Sequence, residues 1–152
     1  MPMSIRKILV PTDFSPAAKQ ALSHACDLAE KYEAALHILH VVLEPFPIAG
    51  ADAALIRPNE SVAHLIQKAE LDLAANTKDL RLASGCRPVC SVVVGYPIEE
   101  ILKYATNSQI DLIALGTHGH RGLSHLLLGS VAEKLVRMAT CPVLTVHAPD
   151  SR

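Results

Sequence analysis

Along this chain two hydrophobic periodicities alternate that cannot share one backbone geometry. Short apolar runs of the kind that fill a strand buried on both faces give way, again and again, to longer segments with apolar residues three and four apart. Ile5 to Val10 is the first such run, stopped by Pro11. Ser15-Pro16 then supplies a helix cap followed by a proline at the first helical position, and Ala18, Ala21, Leu22, Ala25, Leu28, Ala29 and Tyr32 carry a helix from about Pro16 to Tyr32. Ala35 to Val42 is a second strand. The stretch from Leu43 to Asn59, broken by Pro45, Pro47, Gly50 and Pro58, reads as a mobile loop. Val62, Leu65, Ile66, Ala69, Leu73 and Leu80 mark a long second helix reaching about Ala83, with Gly85 ending it.

Val89 to Val94 is a third strand, and Pro97 opens a third helix whose inner face is Ile98, Ile101, Leu102 and Ala105. Ile110 to Leu115 forms the fourth strand. Ser130 with Glu133 reads as a capping box for a fourth helix through about Ala139, and Pro142 to His147 is the last strand. Strands and helices thus alternate from end to end, which predicts an α/β fold: one doubly wound domain over residues 1–152, a five-stranded parallel sheet with helices on both faces.

Composition excludes several functions. Fourteen basic residues against fifteen acidic ones leave a net charge of −1 with neither sign gathered into a block, unlike a nucleic-acid binder. Five aromatic residues, Phe14, Tyr32, Phe46, Tyr96 and Tyr104, are too few for base-stacking platforms. The longest apolar runs fall far short of the ~20 residues of a membrane span. Met1 to Lys7 leads into too short an apolar stretch for a signal-peptide core, so a cytoplasmic protein is expected. Cys26, Cys86, Cys90 and Cys141 are expected to be reduced thiols. Cys86 and Cys90 lack a second ligand pair at zinc-site spacing, and the eight histidines show no H-E-x-x-H arrangement.

In a doubly wound sheet, ligands collect beyond the carboxyl ends of the strands where the winding reverses. Two strand ends stand out here. The first finishes in Val10-Pro11-Thr12-Asp13, a carboxylate in the turn before a helix. The fourth finishes in Gly116-Thr117-His118-Gly119-His120-Arg121-Gly122 and, after an apolar stretch, Gly129-Ser130 at the mouth of the last helix. Glycines allow close backbone approach, and a helix N-terminus attracts anions, so the second segment suits a phosphate; the same glycines could merely turn the chain and cap the helix. Neither the G-x-G-x-x-G nor the G-x-x-x-x-G-K-[ST] fingerprint is present. Both ends border one crevice if the first and fourth strands are neighbours.

Gly116-x-x-Gly119, nine residues and Gly129-Ser130 resemble the signature of the ATP-binding branch of the universal stress proteins. The segments Ile8 to Ser15, Leu39 to Val42, Leu126 to Glu133 and Cys141 to Leu144 resemble that family as well. The resemblance implies an adenine-nucleotide alpha hydrolase-like sheet of order 3-2-1-4-5, which makes the first and fourth strands neighbours. It further implies ATP as ligand, with Mg2+ or Mn2+ accompanying it. Asp13 would hold the ribose hydroxyls or the divalent ion, with Pro11 and Thr12 lining the same turn. Val41 would offer backbone hydrogen bonds to adenine. Gly116, Gly119, Gly129, Ser130 and Val131 would wrap the phosphates.

His118, His120 and Arg121 share that loop. Family members often carry a basic residue followed by a small one at the position of His120 and Arg121, so the basic side chain here has moved by one position. Asp13 has a plainer reading as a turn residue, and Ser130 as a helix cap. The family further implies a homodimer through the apolar last strand, Val143, Leu144 and Val146. No dedicated catalytic base is evident beyond Asp13 or a histidine, so a regulatory ATP binder is the leading reading. A slow ATPase or phosphotransferase and a nucleotide-free interaction module are the alternatives.

Overall fold

A computed structural model of the chain describes residues 3–43, 58–117 and 128–148. β1 (Lys7–Pro11) lies at the middle of the sheet, and its Ile8, Leu9 and Val10 are completely buried. Only helices on both faces can achieve that, since successive strand residues point to opposite sides. α1 (Pro16–Tyr32) returns the chain to β2 (Ala35–Leu43), and α2 (Pro58–Thr77) precedes β3 (Val89–Gly95). α3 (Pro97–Asn107), β4 (Leu112–Gly116), α4 (Ser130–Met138) and β5 (Val143–Val146) complete the order. The strands are parallel and stand in the sequence β3-β2-β1-β4-β5. The expected fold is observed, including the adjacency of β1 and β4.

Two cores follow from the pleat. Ile8, Val10, Leu36, Ile38, Leu112 and Ala114 face α1 and α2, and meet Ala25, Ala29 and Leu73. Leu9, Leu39, Ile113 and Leu115 face α3 and α4, and meet Ile101, Ala105, Ala132 and Leu135. The winding therefore reverses between β1 and β4, with α1 leaving to one face and α4 to the other.

Local chemistry explains most element ends. Ser15 Oγ accepts from Ala18 N at 3.2 Å and caps α1, as its sequence promised. Glu33 ends α1 in the left-handed region at φ 53°, its N–H turned back to the carbonyls of Ala29 and Glu30.

Two helix ends differ from expectation. α2 begins at Pro58, four residues before Val62, again with proline at the first helical position, and it ends at Thr77 rather than near Ala83. Asn76 Nδ2 donates to Asp72 O at 2.7 Å and Thr77 Oγ1 to Leu73 O at 2.8 Å, so side chains cover the last carbonyls. Tight turns then take over, from Leu80 N to Thr77 O and from Gly85 N to Leu82 O. They bring Leu80 and Leu82 to the core, and Leu80, seven residues after Leu73, is what made the apolar spacing mimic a longer helix.

The capping box does not form. Gly129 is the cap of α4, Ser130 is its first helical residue, and Glu133 pairs with Arg137 at 2.9 Å instead of reaching back. Beyond these two ends, strand and helix limits shift by one or two residues, the usual fraying.

Gly116 closes β4 directly against α1. A Cβ added there would stand 2.6 Å from the carbonyl carbon of Ala17 and 2.7 Å from its Cβ. Gly116→Ala is therefore expected to destabilise the protein by about 2 kcal/mol or more, because backbone rather than a flexible side chain must give way. Chemical denaturation measures it. Glu33→Gly should act in the opposite direction, raising stability by about 0.5 kcal/mol, since glycine adopts the left-handed cap without steric penalty. A melting curve of the variant checks the sign.

Candidate functional site

The site is built from three chain ends that meet at the carboxyl edge of β2, β1 and β4. The β1–β2 ladder closes with Pro11 opposite Leu39, and Thr12 N adds a last bond to Leu39 O at 2.8 Å. The chain then leaves the sheet through a turn stabilised by its own side chains. Thr12 Oγ1 accepts from Phe14 N at 3.1 Å, and Asp13 Oδ1 from Ser15 N at 3.0 Å. These bonds hold Phe14 at φ 64°, a conformation that disfavours bulky side chains. The Asp13 side chain remains exposed at the crevice.

A residue outside the sequence-derived site supports this turn. His40 Nδ1 lies 2.7 Å from Thr12 O, and its ring stacks on Phe14 with centroids 4.6 Å apart at 29°. A carbonyl only accepts, so Nδ1 carries the proton. His40 thus locks the Thr12–Phe14 backbone from β2. The signal available in the sequence was a pair of histidines, His37 and His40, inside an otherwise apolar strand, which by itself names no partner.

Val41 follows directly and is half-buried, packed on the α3–α4 side. Main-chain groups of a strand alternate in direction, and Leu39 turns its carbonyl to β1. Val41, two residues on, directs its backbone to the same side, beyond the point where β1 has turned away.

The third end is β4. Thr117, one residue past Gly116, is buried and bound on three sides. Its N–H donates to Val146 O at 2.9 Å, its carbonyl accepts from Gly129 N at 2.6 Å, and Oγ1 lies 3.0 Å from His147 Nδ1. The Gly129 bond sets the start of α4 beside the end of β4. Gly129 has no side chain to cap this helix and none of the described residues supplies one, so the N–H groups of its first turn are oriented out of its N-terminus, a geometry that attracts anions. Ser130 is exposed and Val131 half-buried against the α3–α4 core.

Pro11, Thr12, Asp13, Val41, Gly116, Gly129, Ser130 and Val131 therefore lie on one edge of the sheet, at its switch point. The packing of Gly116 against Ala17 gives that glycine a structural reason of its own. His118, Gly119, His120 and Arg121 lie outside the described residues.

Other reactive groups stand elsewhere. Burial pushes the thiols of Cys26 and Cys141 above the usual cysteine range, with the carboxylates of Asp27 and Glu30 adding to the effect at Cys26. Both are kept protonated and weakly nucleophilic. His37, held below the usual histidine range by burial and by Lys7, pairs with Tyr104 Oη at 2.9 Å near the opposite end of β2. Among the described residues no three His, Cys, Asp or Glu side chains gather as metal ligands, and no helix is long and apolar enough to cross a membrane. The four cysteines are free.

Comparison with known proteins agrees with this geometry. Residues 4–147 match the model of the universal stress protein family. The universal stress protein MJ0531 of Methanocaldococcus jannaschii is 32% identical over 145 residues, covering 95% of this chain and 83% of that one. The solved structure of MJ0577 from the same organism superposes with a TM-score of 0.81 at 33% identity, covering 99% and 100% of the two chains. The fold also recurs in a universal stress protein solved in complex with cAMP, at a TM-score of 0.61 and 22% identity over 96% of this chain and 99% of that one. A fold spanning nearly the whole chain, a switch-point crevice and a family match over nearly its full length converge: this chain belongs to the universal stress protein family.

Proposed function

We propose that this protein binds ATP at the switch-point crevice and acts as a cytoplasmic regulatory protein of the stress response. The observation that carries the reading is the N-terminus of α4, opened by a glycine, capped by no side chain among the described residues and pinned beside the end of β4, at the same sheet edge as the turn that presents Asp13. Phosphates suit that helix start, because its oriented N–H groups and dipole favour negative charge. The spacing Gly116-x-x-Gly119, nine residues, Gly129-Ser130 adds the signature of the ATP-binding branch. That a protein of this fold has been solved in complex with cAMP supports an adenine nucleotide as the ligand class.

Each residue then has a role. Gly129, Ser130 and Val131 hold phosphate oxygens through main-chain N–H groups and the Ser130 hydroxyl, with Gly116 and Gly119 flanking them. His118, His120 and Arg121 stand within the same signature segment between Gly116 and Gly129 and are the candidate basic contacts to the nucleotide. Val41 offers its backbone to adenine. Pro11 and Thr12 line the turn, and Asp13 takes the ribose hydroxyls or a divalent ion, Mg2+ or Mn2+, whose preference for oxygen ligands fits a carboxylate and phosphates. One oxygen of Asp13 already accepts from Ser15 N, which orients its carboxylate at the turn. With no dedicated catalytic base evident beyond Asp13 or a histidine, the reading is a binder with slow turnover at most.

Binding is tested on purified protein by titration with Mg-ATP and by chromatography of any nucleotide released on denaturation. Gly129→Val, which crowds the helix start, and Asp13→Ala, which removes a charged hydrogen-bonding partner, should each weaken ATP by about tenfold or more, equivalent to ~1.4 kcal/mol. Unchanged affinity in both would overturn the site.

The outer side of β5 carries a second expectation, a homodimer. β5 ends the sheet, and the bonds from Ile113 N to Pro142 O and from Thr117 N to Val146 O turn its even-numbered residues toward β4. Val143 and Thr145 therefore direct their N–H groups outward, where a second copy can pair. Thr145→Pro removes one outward donor and none of the bonds to β4. Light scattering should report a dimer for the natural chain and a monomer for this variant; a monomeric natural chain would rule the dimer out.

A further inference from the structure

Thr117 is the hub of a small network that the crevice residues do not explain. It is a polar side chain, 1% exposed, sitting where β4, β5 and α4 converge. Its N–H is tied to the last residue of β5, its carbonyl to the cap of α4, and its hydroxyl to the ring of His147, the residue immediately after β5. The 2.6 Å bond from Gly129 N is the shortest of the backbone turn and cap bonds among the described residues, and it ties the start of α4 to the end of β4. The side-chain bond to His147 adds an anchor at the residue after β5 to the two that the Thr117 backbone makes.

We infer that Thr117, held by His147, is the positioning residue of the phosphate-binding helix start, and that it ties this start to the C-terminal edge strand. The inference rests on the reading of the crevice as a nucleotide site. Neither side chain needs to touch the ligand. Thr117 acts through Gly129, by fixing the direction in which the N–H groups of Ser130 and Val131 point. His147 acts through Thr117. Small errors in such an array are expensive, since oriented donors stabilise an anion only when they converge on it.

The test uses the full chain and Mg-ATP, with four single variants and one double. Thr117→Val and His147→Leu should each weaken binding roughly three- to tenfold, the range of one net hydrogen bond. Thr117→Ser keeps the hydroxyl, and His147→Asn places a polar atom where Nδ1 stood; both should return affinity to within about twofold of the natural chain. The double variant Thr117→Val with His147→Leu should bind no more weakly than the worse single one, because both remove the same bond. Undiminished affinity, failure of the conservative variants to recover it, or losses that simply add would overturn the assignment.

A second readout needs no nucleotide. Exchange of the Gly129 amide proton should be faster in Thr117→Val and His147→Leu than in the natural chain, and normal in Thr117→Ser and His147→Asn. If the natural chain takes up no ATP, the nucleotide reading fails by itself. Exchange at Gly129 then still decides whether Thr117 and His147 position this helix, with equal rates in all chains counting against it.

Discussion

Everything in this molecule follows from the need to hide β1 on both sides. Ile8, Leu9 and Val10 carry apolar side chains to opposite faces with no solvent exposure, so neither face of the sheet can be left to water. Two helices on each face satisfy the requirement, and with the strand order β3-β2-β1-β4-β5 right-handed crossovers put α1 and α2 on one side and α3 and α4 on the other. The crevice is a by-product of that solution. Where the chain changes sides, no helix can cross the carboxyl ends of β1 and β4, and the space between them is open to a ligand.

Much of what borders the opening is backbone, held in place by a few side chains. Thr12, Asp13 and Ser15 accept main-chain N–H groups within three residues of themselves, and together they hold Phe14 in a conformation it would not choose. His40 adds a bond and a stacked ring from the neighbouring strand. At the other border Thr117 does comparable work with its main chain. Such strain and saturation are what make a binding surface rigid before anything binds, so less order has to be created on association.

The order of elements was legible because strand and helix periods differ so sharply, and because Ser15-Pro16, Pro97 and Gly85 punctuate the chain with unambiguous chemistry. The border residues Asp13 and Gly129 could also be named, since a carboxylate after a strand and a glycine before a helix have meaning without coordinates. The adjacency of β1 and β4 came only through family resemblance, because periodicity does not order strands. What stayed hidden is tertiary. Leu80 stands seven residues from Leu73 and mimics helix spacing although a turn delivers it to the core. Glu133 had two possible partners one turn apart, and Arg137 won over the helix start. His40 and His147 owe their roles to residues 28 and 30 positions away, a relation that no local pattern encodes.

The bare contact between Gly116 and Ala17 has a mechanical meaning. With no side chain between them, the backbone of α1 and the end of β4 ride on each other as a single block. The Asp13 turn is bolted to one end of that block, and Thr117 to the other. The two borders of the crevice are thus joined through direct packing, and opening them as lid and base would have to break the contact between Gly116 and Ala17.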